Sequence, residues 1–169
     1  MSNPVSHKEL LESLYKQYHP MVLQMCLGYM KGDHDLAKDI VQEVFINIWN
    51  ALSGFKGEAS HKTWIYRITV NTCLLYLRSS KRPEKTALQD VGEPERLELV
   101  EREKDEHQAL YSAIGELPQL DRLIIMMVLE ELEYDEISKI TGISSINLRV
   151  KIHRAKKKMR EHLNKRLYG

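Results

Sequence analysis

The stretch YDEISKITGISSINLRVKIHRAKKKMR, residues 134–160, decides the fold expected for the C-terminal part of this 169-residue chain. Apolar residues recur at helical spacing on both sides of Gly142. Glycine readily takes the left-handed conformation that ends a helix, and the hydroxyl of Ser144 can cap the amides that open the next one. The pattern predicts a helix, a tight turn through Ile143 and a second helix.

The two predicted helices differ strongly in their outward faces. From residue 149 to residue 166 the chain carries nine basic residues and one acidic residue. The resulting positive charge suits the phosphates of nucleic acid. A solvated helix whose basic end complements the helix dipole is the alternative. The preceding helix and turn favour a DNA-reading helix-turn-helix. The predicted buried stripes are Tyr134, Ile137 and Ile140 on the first helix, and Leu148, Ile152, Ala155 and Met159 on the second.

The composition is that of an ordinary globular chain, with 29 % charged and 43 % hydrophobic residues. The formal net charge of +1 hides a separation, because residues 84–106 hold nine acids against four bases while the C-terminal end is basic. No apolar run approaches the roughly 20 residues of a membrane span, and no secretory signal is recognised, so we expect a cytoplasmic protein. Cys26 and Cys73 have no partner at metal-ligand spacing, so we expect buried free thiols, no metal and no cofactor.

No segment alternates with the period of two that a strand shows, and the chain is expected to be all-α. We predict a four-helix N-terminal domain over residues 1–80, a flexible acidic linker over residues 81–104, and a helical domain over residues 105–169 that ends in the helix-turn-helix. The four helices are expected near 7–18, near 22–30 after Pro20, at 36–52 behind an Asp33 or Asp35 cap, and at 63–78. Their apolar rows are predicted to bury, among others, Trp49 on the third helix and Trp64, Ile65, Ile68, Thr72 and Leu75 on the fourth.

The third predicted helix has a second, more unusual face. Opposite its apolar rows lie acids, two amides and an exposed isoleucine, namely Asp39, Gln42, Glu43, Ile46 and Asn50. For a helix considered alone, a solvated face would be the simpler interpretation, but the composition is also that of a docking patch.

Four strings extend the pattern over nearly the whole chain: DIVQEVFINIW (39–49), TWIYRITVN (63–71), LPQLDR (117–122) and HRAKKKMR (153–160). In this order, with an acidic segment between the second and third, they resemble the extracytoplasmic-function (ECF, group IV) sigma factors of the sigma-70 type. Helix-turn-helix patterns occur in many regulators, whereas the two-domain combination is specific. The resemblance implies a region 2-like and a region 4-like domain in a non-enzymatic subunit that binds core RNA polymerase, recognises promoter minus-10 and minus-35 elements and helps to open the duplex.

The resemblance also assigns contact surfaces in the N-terminal domain. Carboxylates and an amide around an apolar side chain would dock on the beta-prime clamp helices of the polymerase. The loop 55–62 and the next helix would capture an unstacked minus-10 base, which needs polar edge-readers and cations. Trp64 is interpreted as core rather than as a stacking platform. The polymerase contacts are Asp39, Gln42, Glu43 and Ile46; the minus-10 contacts are Lys56, Ser60, His61, Lys62, Tyr66, Arg67, Asn71 and Arg78.

For the C-terminal domain the resemblance implies contact with the polymerase beta flap and with minus-35 DNA, while the acidic linker would follow the RNA-exit region; a generic tether would look similar. Many relatives are held inactive by an anti-sigma factor, which is therefore an expected partner. Ile146-Asn147 and Val150 replace the commoner glycine-threonine and serine, so relatives do not supply the promoter sequence. Near the bases we expect Ser145, Asn147, Arg149 and Lys151, and on phosphates Arg154, Lys156 and Lys157.

Three other interpretations fit parts of the sequence. A repressor or response regulator would carry a similar helix-turn-helix, bind a palindromic operator and need no polymerase. A metal-dependent nuclease or phosphohydrolase would use Asp33, Asp35, Asp39 and Glu43, but no second ligand cluster is found on a facing helix. A sigma-like decoy that binds a regulator would not need the basic helix.

Overall fold

The computed structural model describes residues 4–79 and 99–168, and the side chains of residues 6–78 and 107–168. The prediction of an all-α fold with two helical domains is confirmed, and no strand occurs among these residues. Most of the predicted linker lies outside the described residues. The helices are α1 (Pro4–Tyr29), α2 (His34–Ala51), a 3-10 turn (Leu52–Gly54), α3 (His61–Ser79), α4 (Leu99–Gly115), α5 (Gln119–Leu129), α6 (Tyr134–Thr141) and α7 (Ser145–Tyr168).

Helix α1 runs without interruption through Pro20, so the prediction of two helices separated at this proline was wrong. An interior proline costs a helix about 3 kcal/mol because it removes one backbone hydrogen bond and its ring crowds the preceding turn. Pro20 is exposed, and the buried stripe begun by Leu14 continues beyond it through Val22 and Met25. Packing of this continuous stripe against the rest of the core offsets the local cost.

Helix α2 begins as predicted, with the Asp33 carboxylate accepting a hydrogen bond from the Leu36 amide at 3.1 Å. Its apolar rows are buried except at Leu36, which is half-buried, and at Trp49, whose side chain is 46 % exposed. The burial predicted for Trp49 was therefore wrong. A row of four-residue steps turns about 40° around the helix with each step, so the last member of the row leaves the buried side.

Helix α3 buries a different face from the one predicted. Ile65 and Thr72 are buried as expected, but Leu75 is 60 % exposed. The true inner face is rotated towards Thr69 and Cys73. The hydroxyls of Thr69 and Thr72 donate to backbone carbonyls four residues earlier, at 2.8 and 2.6 Å, which allows both threonines to be buried.

The helix-turn-helix forms as the sequence predicts. Gly142 has φ 75° and its amide donates to the Ser138 carbonyl at 2.8 Å, which closes α6. The Ser144 hydroxyl accepts from the Asn147 amide at 3.3 Å and caps α7. The four residues predicted to form the buried stripe of α7 are all buried.

The two domains pack directly on each other and share one continuous core. A Cβ atom on Gly28 of α1 would lie only 2.3 Å from the Met126 sulfur of α5, so the glycine permits a very close approach of the two helices. The Tyr111 hydroxyl donates to the Gln24 side chain at 2.9 Å. The Arg122 guanidinium of α5 donates to the Tyr29 carbonyl of α1 at 3.2 Å. The predicted buried free thiols, Cys26 and Cys73, are confirmed.

Candidate protein and nucleic-acid interfaces

An apolar groove lies between α1 and α2, beside the predicted polymerase contacts. Its volume is about 440 Å³. Ile46 is 53 % exposed at its wall, and Gln42 also lines it. Glu43 is exposed on the same helix and Asp39 is half-buried. The lining residues are Leu11, Tyr15, Val41, Gln42, Phe45, Ile46 and Trp49.

Aromatic side chains give this groove the composition of a protein interface. The Tyr15 ring lies 4.7 Å from the Phe45 ring and 4.8 Å from the His19 ring, measured between centroids. Tyrosine and tryptophan are enriched where interfaces carry most of their binding energy. Sequence reasoning missed Tyr15 and Trp49 as groove residues. Trp49 could have been recognised, because a row of four-residue steps turns around the helix and its last member leaves the buried side.

A second cavity, of about 660 Å³, lies under the loop that joins the 3-10 turn to α3. Its floor is aromatic, because the Phe55 ring lies 4.7 Å from Trp64 and 4.8 Å from His61. Trp64 is partly buried against the core, as predicted, and also faces this cavity. Phe55 was missed by the sequence analysis, although an aromatic residue at the entrance of a cationic loop is a usable signal. The cavity is lined by Gly54, Phe55, Lys56, Glu58, Ala59, Ser60, Thr63, Trp64, Arg67 and Lys139.

The predicted minus-10 contacts fall into three groups around this cavity. Those that line it are Lys56, Ser60 and Arg67; those exposed elsewhere are Lys62, Asn71 and Arg78; those with limited exposure are His61, which is half-buried, and Tyr66. Ser60 has a structural task as well, because its hydroxyl accepts from the Thr63 amide at 3.2 Å and caps α3. The loop therefore combines cations, a hydroxyl and aromatic faces around one space.

Tyr66 is the member of this set that the structure places differently. The sequence placed it on the outward face of α3, but it is 1 % exposed. One residue is 100° around a helix, so Tyr66 and its neighbour Arg67 point to different sides. Burial, followed by the nearby charges of Glu130 and Glu136, raises the pKa of Tyr66 and keeps its hydroxyl neutral. Both glutamates belong to the second domain.

The outward face of α7 is basic along its length and apolar at its beginning. The predicted minus-35 contacts Asn147, Arg149, Arg154, Lys156 and Lys157 are exposed, and Ser145 is half-buried at the first turn. The Lys151 ammonium lies 3.4 Å from the Asp121 carboxylate of α5. Ile146 is 78 % exposed and Val150 is 44 % exposed on the same face. Both stand where the sequence departs from the commoner pattern, but neither was among the predicted contacts.

Within the part of the chain that the structure describes, no three histidine, cysteine or acidic side chains are grouped so that they could hold a metal ion. The Asp33 carboxylate, considered above as a metal ligand, is engaged as the cap of α2. Among the described helices, none has the length and hydrophobicity required to cross a membrane.

Comparison with known proteins gives two family matches. Residues 14–83 match the model of Sigma-70 region 2, and residues 107–159 match that of Sigma-70, region 4. The ECF RNA polymerase sigma-E factor of Escherichia coli K12 is 33 % identical over 160 residues, which cover 85 % of this chain and 81 % of that protein. The RNA polymerase sigma factor SigV of Bacillus subtilis is 28 % identical, with 98 % of each chain covered.

Two solved structures share the fold. One is CnrH in complex with the cytosolic domain of CnrY, with a TM-score of 0.68, 20 % identity and coverage of 93 % of this chain and 89 % of that chain. The other is the sigma factor RpoE in complex with the anti-sigma factor NepR from Bartonella quintana, with a TM-score of 0.67, 18 % identity and coverage of 90 % and 96 %.

Proposed function

This chain belongs to the ECF RNA polymerase sigma factors of the sigma-70 family, and we propose that three of its surfaces divide the work of promoter-dependent initiation. The α1–α2 groove binds core polymerase, the cavity beside Phe55 receives a minus-10 base, and α7 reads the minus-35 element. The chain acts in the cytoplasm, has no catalytic chemistry of its own and belongs to group IV. Its working units are residues 1–80 and 105–169, joined by residues 81–104.

The observation that carries the proposal is the presence of an acid-bordered apolar groove and a basic helix-turn-helix in one chain. A repressor would use the second feature and leave the first without a purpose. Ile46 supplies an exposed apolar centre, and Glu43 supplies exposed negative charge beside it. This arrangement suits a helical partner that presents an apolar patch between basic residues, and we propose that the beta-prime clamp helices are that partner.

The minus-10 cavity supports the capture of a single base from a melted strand. Aromatic rings at 4.7 to 4.8 Å from one another provide faces on which a base can stack. Lys56 and Arg67 provide charge for the adjoining phosphates, and the loop hydroxyl and backbone provide partners for the base edge. A duplex base pair would not fit into such a pocket without leaving its stack.

The α7 surface supports readout of a duplex. Arg154, Lys156 and Lys157 are exposed for phosphate contacts, while Asn147 and Arg149 stand near the helix start, where base edges are read. We propose that the same domain also contacts the beta flap of the polymerase. An anti-sigma factor is a further proposed partner, supported by the fold shared with RpoE, which was solved in complex with one.

The decisive experiment is reconstitution with core polymerase from the source organism, followed by run-off transcription over a library of its genomic promoters. We expect a set of transcripts that requires this chain and shares two upstream elements. Absence of every such transcript, together with absence of core binding, would overturn the proposal. Magnesium-dependent hydrolysis of nucleic acid by the pure chain, lost in Asp39→Ala, would support the nuclease interpretation instead.

A further inference from the structure

A third cavity, of about 570 Å³, lies where the end of α1 meets the start of α5. None of the residues that line it belongs to the polymerase, minus-10 or minus-35 contacts described above. We propose that this cavity binds a small organic carboxylate with an apolar body. The inference goes beyond the proposed function, because it concerns residues that promoter recognition does not use.

The wall of the cavity is mainly apolar. Met30, Leu36 and Leu77 contribute to it, and each of these side chains is partly buried. Sites for small molecules commonly have volumes of about 300 to 1,000 Å³, an apolar lining and a few convergent polar groups, and they occur preferentially between domains. The size, lining and position of this cavity therefore suit the apolar body of a small organic molecule.

The charged groups that line the cavity favour an anion. Lys31 is exposed at its rim, and Arg122 of α5 is half-buried. The Asp33 carboxylate also lines the cavity, but it accepts the Leu36 amide at 3.1 Å as the cap of α2. Two positive groups and one negative group leave one positive charge in excess, which matches a carboxylate better than a phosphate dianion.

The Arg122 guanidinium is held in position by backbone atoms. Its Nε donates to the Leu117 carbonyl at 2.9 Å, and its Nη1 donates to the Tyr29 carbonyl at 3.2 Å. A guanidinium has five N–H groups, so these two bonds leave donors for a ligand. Because the group is already ordered, its contact with a carboxylate costs little conformational entropy.

The turn after α1 positions the second cation. Lys31 has φ 58° and Gly32 has φ 84°, both in the left-handed region. The Lys31 side chain then lies against Gly115 of α4, where an added Cβ would come within 2.9 Å of the lysine Cγ. The turn and this contact hold the stem of Lys31 at the rim of the cavity.

The start of α5 adds a partial positive charge. Gln119, the first residue of α5, lines the cavity, and Pro118 before it has no polar side chain with which to cap the first amides. The amides at the start of a helix lack partners within the helix and attract anions. A carboxylate in the cavity would therefore lie near the positive end of α5 as well as near the two side-chain cations.

The Tyr29 hydroxyl is an independent indication of a ligand. Tyr29 lines the cavity and is fully buried, and its hydroxyl has no hydrogen-bond partner among the described residues. Burial, followed by the Cys73 thiol, raises the pKa of Tyr29 to about 12, while the charges of Arg122 and Arg78 act in the opposite direction. The hydroxyl is therefore protonated at neutral pH and lacks an acceptor, which a ligand carboxylate would supply.

Octanoate is the probe, and octanamide is its uncharged control. Binding to the isotope-labelled full chain is followed by NMR chemical shifts. For a ligand with about ten non-hydrogen atoms we expect saturable binding with a Kd of about 0.1 to 5 mM. The largest shifts should fall at residues 29–33 and 119–122. Octanamide should bind about tenfold more weakly, because it cannot form charge-assisted hydrogen bonds.

Two variants test the assigned side chains. Lys31→Gln should weaken octanoate binding by about three- to tenfold and leave octanamide binding unchanged, which a purely structural role of Lys31 would not produce. Lys16→Gln removes the charge of another exposed lysine near the same helix and should bind as the wild type does. Tyr29→Phe should weaken octanoate binding by about two- to tenfold, with Tyr168→Phe as the exposed tyrosine control.

A thermal measurement gives a second readout. Octanoate at ten times its Kd should raise the melting temperature of the wild type by about 3 to 6 °C, because it binds only the folded chain. Circular dichroism of Lys31→Gln and Tyr29→Phe without ligand shows whether each variant is folded. A folded variant that binds less octanoate should also show a smaller rise in melting temperature.

Several results would overturn the proposal. Octanoate that does not saturate the chain below about 20 mM would do so, as would shifts centred on the groove beside Ile46. Equal affinities for octanoate and octanamide would remove the role of the charge, and inorganic phosphate that binds as tightly as octanoate would remove the role of the apolar body. Wild-type affinity in both variants would contradict the site. Because no measurement uses polymerase or DNA, promoter-dependent transcription is tested separately.

Discussion

The Lys151 ammonium of α7 pairs with the Asp121 carboxylate of α5 at 3.4 Å, so one base on the proposed promoter face already has an acidic partner. The pair holds the start of the recognition helix against the helix that supports it. Partly exposed ion pairs of this kind contribute about 0 to 1 kcal/mol to the stability of the folded chain. Lys151 must therefore give up some of this energy to reach a phosphate or a base.

Asp121→Asn is expected to strengthen binding to a duplex that carries the minus-35 element by up to about fivefold, because about 1 kcal/mol of competing attraction is lost. Fluorescence anisotropy over a range of salt concentrations measures this. Arg154→Ala is the matched comparison, and it should weaken binding to all duplexes and lower the salt slope by about 1. Weaker binding by Asp121→Asn would show instead that the carboxylate positions Lys151 for DNA.

Glu43→Lys is expected to abolish association with core polymerase, because it reverses the exposed charge beside Ile46. The measurement is co-migration with core polymerase on size exclusion, with circular dichroism to show that the fold is intact. Glu9→Lys makes the same charge reversal at another exposed position, on α1, and should bind normally. Undiminished core binding by Glu43→Lys would remove α2 from the proposed interface.

The probe is a labelled single-stranded oligonucleotide with the non-template minus-10 sequence of a promoter found by run-off transcription. Phe55→Ala is expected to weaken binding to it by about 1 to 3 kcal/mol, the range found for loss of one stacked base. Phe55→Tyr keeps an aromatic face next to Trp64 and should bind as the wild type does. Transcription from a promoter with a normal duplex should fall more than transcription from one opened beforehand by mismatches. Equal loss at both templates would indicate that Phe55 supports only the loop.

Ile146→Ala is expected to change base preference in the minus-35 element and to leave stability nearly unchanged, since the side chain is mostly exposed. An apolar side chain at the start of a recognition helix can contact the methyl group of thymine. Selection of bound duplexes from a randomised minus-35 library measures the change, with Leu167→Ala as an exposed apolar control near the end of α7. Identical base preferences in wild type and Ile146→Ala would rule out this contact.

Tyr29→Phe is expected to reduce the loss of stability in alkali. Burial raises the pKa of Tyr29 to about 12 from an ordinary value of 10.0. Because the pKa is higher in the folded state, the folded protein holds the Tyr29 proton more tightly than the unfolded chain does. The free energy of unfolding therefore includes a contribution of about 2 to 3 kcal/mol that is complete below pH 10 and is lost as the pH rises towards 12. Urea unfolding near neutrality and at about pH 11 measures the difference. An equal alkaline loss in Tyr29→Phe would contradict the assignment.

The same substitution has a separate effect at neutral pH. The Tyr29 hydroxyl is buried and has no hydrogen-bond partner among the described residues. Removing it should leave stability unchanged or raise it by about 1 kcal/mol, because a buried polar group without a partner is costly. Thermal unfolding followed by circular dichroism checks this, and a clear fall in melting temperature would show that the hydroxyl is bonded.

The parts of the fold that could be predicted are those governed by local signals. Helix α7 has one buried side, and its Leu148 to Met159 stripe has the period of the helix, so its faces were assigned correctly. Gly142 and Ser144 mark a turn whose chemistry depends on neighbouring backbone atoms alone. The outward position of Ile46 followed from the same reasoning.

The parts that could not be predicted depend on contacts distant in sequence. Pro20 is a local breaker, but the packing of α1 on other helices decides that it stays inside one helix. Tyr66 lies one residue from an outward position, and its burial depends on the second domain. The Gly28–Met126 approach joins residues almost 100 positions apart, and no periodicity in either helix indicates it.

The Gly28–Met126 contact also bears on how the chain denatures. Domains that share one core do not melt independently, because exposure of either half removes apolar contacts from the other. We therefore expect the free chain to unfold as one cooperative calorimetric unit, with equal van't Hoff and calorimetric enthalpies, even though it matches two family models.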